Sequence, residues 1–166
     1  MQYPLSRKIL APGVLLGLLL TGCGGGSSDP EPTPIAATLT VTSATSAMFN
    51  GVYTTPSVSL AEVVKVNPIG SEPEVCSFKF SGPRSPSGQM MTGDIRYIPG
   101  NHSLHVVFIA IDGVEFSSRD ATNAVVDTSN SKVDFNGKVL PASTGVASTI
   151  TVLGSVPMRG NRPEGC

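Results

Sequence analysis

Hydrophobic and polar positions divide the chain into three unlike stretches. Ile9 to Leu20 is an uninterrupted run of apolar and small residues behind the basic pair Arg7 and Lys8. Residues 24–34 then carry no hydrophobic side chain larger than proline. From about Met48 onward short apolar segments alternate with Gly, Pro, Ser and Thr every eight to twelve residues, a spacing that predicts an all-β domain. No 3.6-periodic face of useful length competes with that reading.

Individual strands follow from the alternation. Val75 to Phe80 places Cys76, Phe78 and Phe80 on one face, and Met90 to Ile98 predicts a second strand that ends at the turn Pro99-Gly100-Asn101. Leu104 to Ile111 is apolar on both faces, which predicts a central strand covered on both sides. Asp112-Gly113 between Ile111 and Val114 predicts a two-residue hairpin, because both turn positions need positive φ. Asn123–Asp127 and Lys132–Leu140 form a further pair, and Ser148–Met158 is the last strand. Together these predict an antiparallel sandwich or small barrel of about seven strands.

Three segments read two ways. Leu39 and Val41 alternate with threonine, which suits a short strand or an extended linker. Ser59-Leu60-Ala61-Glu62 matches a capping box and could open one helical turn before Asn67-Pro68. Phe135-Asn136-Gly137 suits a hairpin turn or a bulge inside one long strand. The expected organisation is a leader over residues 1–22, a flexible linker over 23–47 and a β domain over 48–166. In the linker, Gly and Ser give freedom and the alternate prolines of Asp29 to Pro34 add stiffness.

Composition narrows the partners. Beyond the leader the chain holds 9 Lys+Arg (11 less Arg7 and Lys8) against 12 Asp+Glu, a formal charge of −3. It has no basic run, so nucleic acid, which demands clustered cations, is excluded as an expected partner.

A basic start followed by a short apolar run is the layout of a secretory signal. Twelve residues are too few to span a bilayer core, which takes about 20, and Pro12 and Gly13 inside the run weaken a spanning helix. The four residues that follow, Leu20-Thr21-Gly22-Cys23, resemble the lipobox of bacterial lipoproteins at every position. That resemblance covers residues 1–23 alone. It implies cleavage before Cys23 and a diacylglycerol on its thiol. Two or three acyl chains on one residue anchor a protein durably, where a single chain holds only marginally. The same family tends to keep proteins with Asp after the cysteine in the inner membrane. Gly24 stands there instead, which implies an outer-membrane lipoprotein facing the periplasm.

Assigning Cys23 to lipid leaves Cys76 and Cys166. An even pair in an oxidising compartment is expected to bond, so a Cys76–Cys166 disulfide is predicted. Two isolated buried thiols are the alternative. A zinc site is disfavoured, because two distant cysteines without a nearby Cys or His run lack ligand spacing.

Candidate chemistry is sparse, and neither a catalytic set nor a cofactor or metal site is expected. His102 and His105 lie three apart, which on a strand points them to opposite faces, and His102 falls in a turn. Ser129-x-x-Lys132 has the spacing of penicillin-recognising enzymes but lacks their Ser-Asp-Asn and Lys-Thr-Gly elements and reads as a hairpin tip. No nucleophile elbow, phosphate loop or His-Glu-x-x-His helix occurs. Two polar segments offer possible partner contacts. One is Ser81 to Gly88 with Arg84; the other is the tail from Met158 to Cys166 with Arg159 and Arg162.

These readings together point to a tethered, non-enzymatic envelope lipoprotein that binds a protein, glycan or small ligand or serves a structural role. A periplasmic inhibitor or a small-ligand-binding barrel is the alternative, and a hydrolase built from dispersed residues is third.

Overall fold

A computed structural model of the chain describes residues 33–143 and 148–166. The apolar leader and Cys23 lie outside the described residues. Among the described residues the fold is all-β: eleven strands in one antiparallel sheet, with a single three-residue 3-10 turn at Ala47–Phe49. In chain order the strands are β1 (Ala37–Thr42), β2 (Gly51–Thr55), β3 (Ser59–Leu60), β4 (Val64–Val66), β5 (Val75–Arg84) and β6 (Met90–Tyr97). They continue as β7 (Leu104–Ile111), β8 (Val114–Ser118), β9 (Ala124–Asp127), β10 (Lys132–Pro141) and β11 (Thr149–Pro157).

The spatial order is β8-β7-β6-β5-β2-β1-β11-β10-β9, with β3 and β4 also paired to β5. The expected count of about seven falls short because β1 to β4 all precede Val75. Their lengths of two to six residues leave little alternation to read, and in β2 and β4 the exposed positions include Val52 and Val64, which blur what alternation there is. Ser59–Leu60 is strand β3, not the start of a helix, since it pairs with Ser81 and Phe80 of β5.

The folded domain also begins earlier than the expected Met48. β1 sits between β2 and β11 and buries Ala37, Leu39 and Val41, so residues 37–42 are sheet centre rather than linker. Val75 to Phe80 extends to Arg84, which shortens the expected Ser81–Gly88 loop to Ser85–Gln89. Asp112 and Gly113 both take positive φ, 48° and 84°, as a primed two-residue turn requires. Phe135-Asn136-Gly137 is a bulge within β10, at the break in register between Asn136 and Lys138.

Inward side chains make one core. Tyr53, Phe78, Tyr97, Phe116 and Phe135 are its largest fully buried members, with Leu39, Met91, Ile95, Ile109, Ile111 and Leu140 among them. The edge strand β8 comes back toward β10. Phe116 bridges Ala142, and the Ser143 amide donates to the Glu115 carbonyl at 2.8 Å. Between that bridge and the β9–β10 pairing, the chain at Asp120 to Thr122 departs from β10. Lys138, with its side chain 1 % exposed, fills the gap: its ammonium donates to the carbonyls of Asp120 and Thr122 and lies 3.5 Å from the Asp120 carboxylate. A buried charge is tolerated only when its donors are satisfied, and two carbonyls and a carboxylate do that here.

Cys76 and Cys166 are joined, with Cα atoms 5.7 Å apart. The Tyr97 hydroxyl, across the β5–β6 ladder from Cys76, donates to the Cys166 carbonyl at 2.8 Å. Burial raises the Tyr97 phenol above its ordinary pKa, so it remains a donor throughout the neutral range.

Candidate functional site

The three arginines expected to meet a partner are engaged with their own chain. Arg84 Nη1 donates to the Gly88 carbonyl at 3.1 Å and so closes its own loop. Arg159 Nε donates to the Leu60 carbonyl at 3.1 Å. Arg162 donates to the Thr128 carbonyl at 2.7 Å and to Ser131 Oγ at 2.9 Å. The Gly165 carbonyl also accepts from the Gly100 amide at 2.8 Å. The tail is therefore a strap that ties β3, the β9–β10 turn, the β6–β7 turn and β5 together.

The histidines occupy separate settings. His102, at φ 54°, sits in the β6–β7 turn with its ring 3.4 Å from Thr128 Oγ1. His105 Nε2 lies 2.9 Å from Glu72 Oε2. Among the described residues no group of three or more His, Cys, Asp or Glu side chains is placed to hold a metal ion. Ser129 to Ser131 form the tip between β9 and β10, and Lys132 pairs with Asp134 at 2.9 Å.

The feature that sequence reasoning missed is the outer face of β5 to β8. Cross-strand register aligns three outward rows: Ser77–Arg96–Val106, Lys79–Asp94–Phe108–Ser117 and Ser81–Thr92–Ala110–Glu115. The second and third rows, Ser117 apart, and Arg96 of the first line a groove of about 540 Å³ with Ser59 and Ala61 at one margin; Ser77 and Val106 of the first row are buried. Here the expectation of a doubly covered β7 is corrected. Phe108 and Ala110 are only half-buried, and their apolar character belongs to the groove rather than to a second layer.

An ordered polar group holds the groove centre. Arg96 donates through Nη2 to Asp94 Oδ2 at 2.8 Å and through Nε to Oδ1 at 3.3 Å. Ser77 Oγ donates to the same Oδ1 at 3.0 Å. The guanidinium carbon lies 5.3 Å from the centre of the Phe108 ring, a cation–π distance. Asp94 is 15 % exposed and Arg96 40 %, so the carboxylate is shielded while the guanidinium still meets solvent.

A smaller hollow of about 150 Å³ adjoins at Arg96, lined by Glu72, His105 and Arg119. Arg119 Nη1 donates to both Glu72 oxygens at 2.8 and 2.9 Å. That bond first, and the His105 contact second, hold the Glu72 carboxyl below the usual carboxylate range. A depressed folded value means the contribution is present above the unfolded value and is lost as pH falls through the folded one. Carbon-detected titration of Glu72 should give a midpoint below that of an unstructured glutamate. Arg119→Ala should raise it; an unchanged midpoint would show that the pair does not form.

No protein-family model matches the chain, and no match is found among the curated proteins or the solved structures.

Proposed function

We propose that this chain is a lipid-anchored envelope protein whose β domain is a binding module, with its ligand taken in the groove over β5 to β8. The observation that carries the address is the cysteine arithmetic. With Cys23 assigned to lipid, the remaining two thiols are the bridged Cys76 and Cys166, and a structural disulfide supports an oxidising compartment. Gly24 favours the outer membrane, facing the periplasm. The described domain then stands off the membrane on the polar, proline-punctuated stretch that precedes it.

The finer architecture we propose is a small barrel whose β8–β9 run closes against β10 by the Phe116–Ala142 bridge and the β9–β10 ladder, with Lys138 plugging the seam. Binding is favoured over catalysis because the groove presents an ion pair, hydroxyls and an aromatic ring, and the serine hydroxyl bonded to its carboxylate, Ser77, is buried on Asp94 rather than offered to the groove.

Replacing Cys23 by serine tests the anchor. The variant should leave the membrane fraction or remain unprocessed; membrane association with unchanged cleavage would overturn the lipobox reading. The groove is tested with residues 23–166 carrying Cys23→Ser, without the apolar leader, ¹⁵N-labelled and mixed with solubilised envelope extract. Amide shifts confined to Thr92, Asp94, Phe108 and Ala110 would support the site. Shifts elsewhere, or none, would overturn it.

A further inference from the structure

We infer that the groove over β5 to β8 recognises a neutral oligosaccharide, an assignment that rests on the groove being the binding site. Four charged groups line it, and they cancel: Lys79 and Arg96 against Asp94 and Glu115. A polyanion would meet Asp94 and Glu115 wherever it met Arg96, and a polycation would meet Lys79 and Arg96. A fully apolar ligand would strip water from these groups without replacing their hydrogen bonds, which is costly.

Sugars match what remains. Each ring offers hydroxyls that both donate and accept, together with apolar C–H faces. The groove offers donors at Arg96 and Lys79, acceptors at Asp94 and Glu115, and hydroxyls at Ser59, Ser81 and Thr92. Arg96 uses Nε and Nη2 on Asp94, so three of its five N–H donors remain for a ligand. Phe108, Ala61 and Ala110 supply apolar surface for the C–H faces, and the Arg96 guanidinium carbon is held 5.3 Å from the Phe108 ring centre, so a donor group and an aromatic ring stand side by side in the groove.

Rigidity strengthens the case. Asp94 is fixed by Arg96 and Ser77, and Arg96 by Asp94 and Phe108, before any ligand arrives. A ligand meeting such groups avoids the cost of ordering them. The strands beneath are paired with neighbours on both edges, so β6 and β7 offer no open edge for an added peptide strand.

The test titrates chitotetraose and maltotetraose into the labelled Cys23→Ser chain, with heparin and a mixed peptide library in parallel arms. At least one neutral sugar should shift the Thr92, Asp94 and Phe108 amides, with an affinity that varies less than about twofold between low and high salt. Phe108→Ala and Arg96→Ala should each weaken it about tenfold or more. Because Arg96→Ala could perturb folding, Glu115→Gln and Lys79→Gln serve as exposed variants; each should weaken the sugar severalfold with an unchanged melting temperature. A response to heparin or peptides alone would overturn the glycan assignment and leave the groove reading standing. Silence toward both sugars, while envelope extract still shifts the groove, would overturn the glycan assignment by itself.

Discussion

Replacing Cys76 and Cys166 together by serine should lower the unfolding free energy by about 4 kcal/mol. The bridge spans 90 positions, and the chain-entropy treatment gives on the order of 4–5 kcal/mol for loops of that length. For a domain of this size the melting temperature should fall by roughly 10–20 °C. Intact mass supplies an independent check: the unfolded protein should gain two hydrogens on treatment with reductant. Both cysteines are buried, Cys76 at 0 % and Cys166 at 6 % exposure, so the folded protein should resist the same reagent. An unchanged mass would show that no bridge exists.

The strap gives this prediction a further consequence. Without the bridge, the tail still holds Arg159 on Leu60, Arg162 on Thr128 and Ser131, and the Tyr97 hydroxyl on the terminal carbonyl. Hydrogen exchange in the serine variant should therefore rise most at the tail, at β4 and at the start of β5, where Cys76 pairs with Lys65. Deleting residues 159–166 should destabilise the domain more than the serine pair does, because the arginine bonds go with the bridge.

Gly154→Ala should cost about 3 kcal/mol. Gly154 lies in β11 opposite Leu39 on one side and Phe135 on the other, at φ +113°. A Cβ there would stand 2.4 Å from the Thr38 carbonyl oxygen and 3.2 Å from Leu39 Cα. Both atoms belong to the backbone of β1, so relief requires moving a central strand rather than turning a side chain. Strained φ and overpacking each carry about 1–3 kcal/mol. Gly137→Ala is the control. Its φ is +82°, yet the nearest atom to a new Cβ is Thr151 Cγ2 at 4.0 Å, so only the backbone cost of about 1 kcal/mol applies. Urea melts of the two variants decide the matter. Equal losses would mean that β1 and β11 do not approach as closely as described.

Elements that carry their own local signal were legible along the chain. Asp112-Gly113 required two positive φ values and has them. Cys76, Phe78 and Phe80 share the inner face, as their alternation predicted, and the segments from Met90, Leu104, Lys132 and Thr149 are strands close to their expected bounds. β1 was read two ways because a strand of alternating threonine and aliphatic residues differs from an extended linker only in what lies beside it. Ser59-Leu60-Ala61-Glu62 carried a helix-start pattern of about 1 kcal/mol, and the two-residue ladder to β5 with burial of Leu60 outweighed it.

The groove was hidden for a different reason. Lys79, Asp94, Phe108 and Ser117 come from four strands and share a row only through cross-strand register. No spacing along one strand announces such a row. Lys138 escaped notice likewise, since a lysine in a strand reads as an outward residue until the bulge at Gly137 turns it inward.

The amino-acid order by itself determined the all-β class, the Asp112-Gly113 hairpin and the identity of the two cysteines left to pair, because those depend on local backbone preference, alternation and count. Tertiary structure alone decided that the chain folds from β1 onward, that Arg159 and Arg162 tie down the tail while Arg84 closes its own loop, and that a polar groove covers the outer face of β5 to β8. Those outcomes depend on which distant strands become neighbours and in what register, and a register is settled by the packing of the whole sheet rather than by any one segment of it.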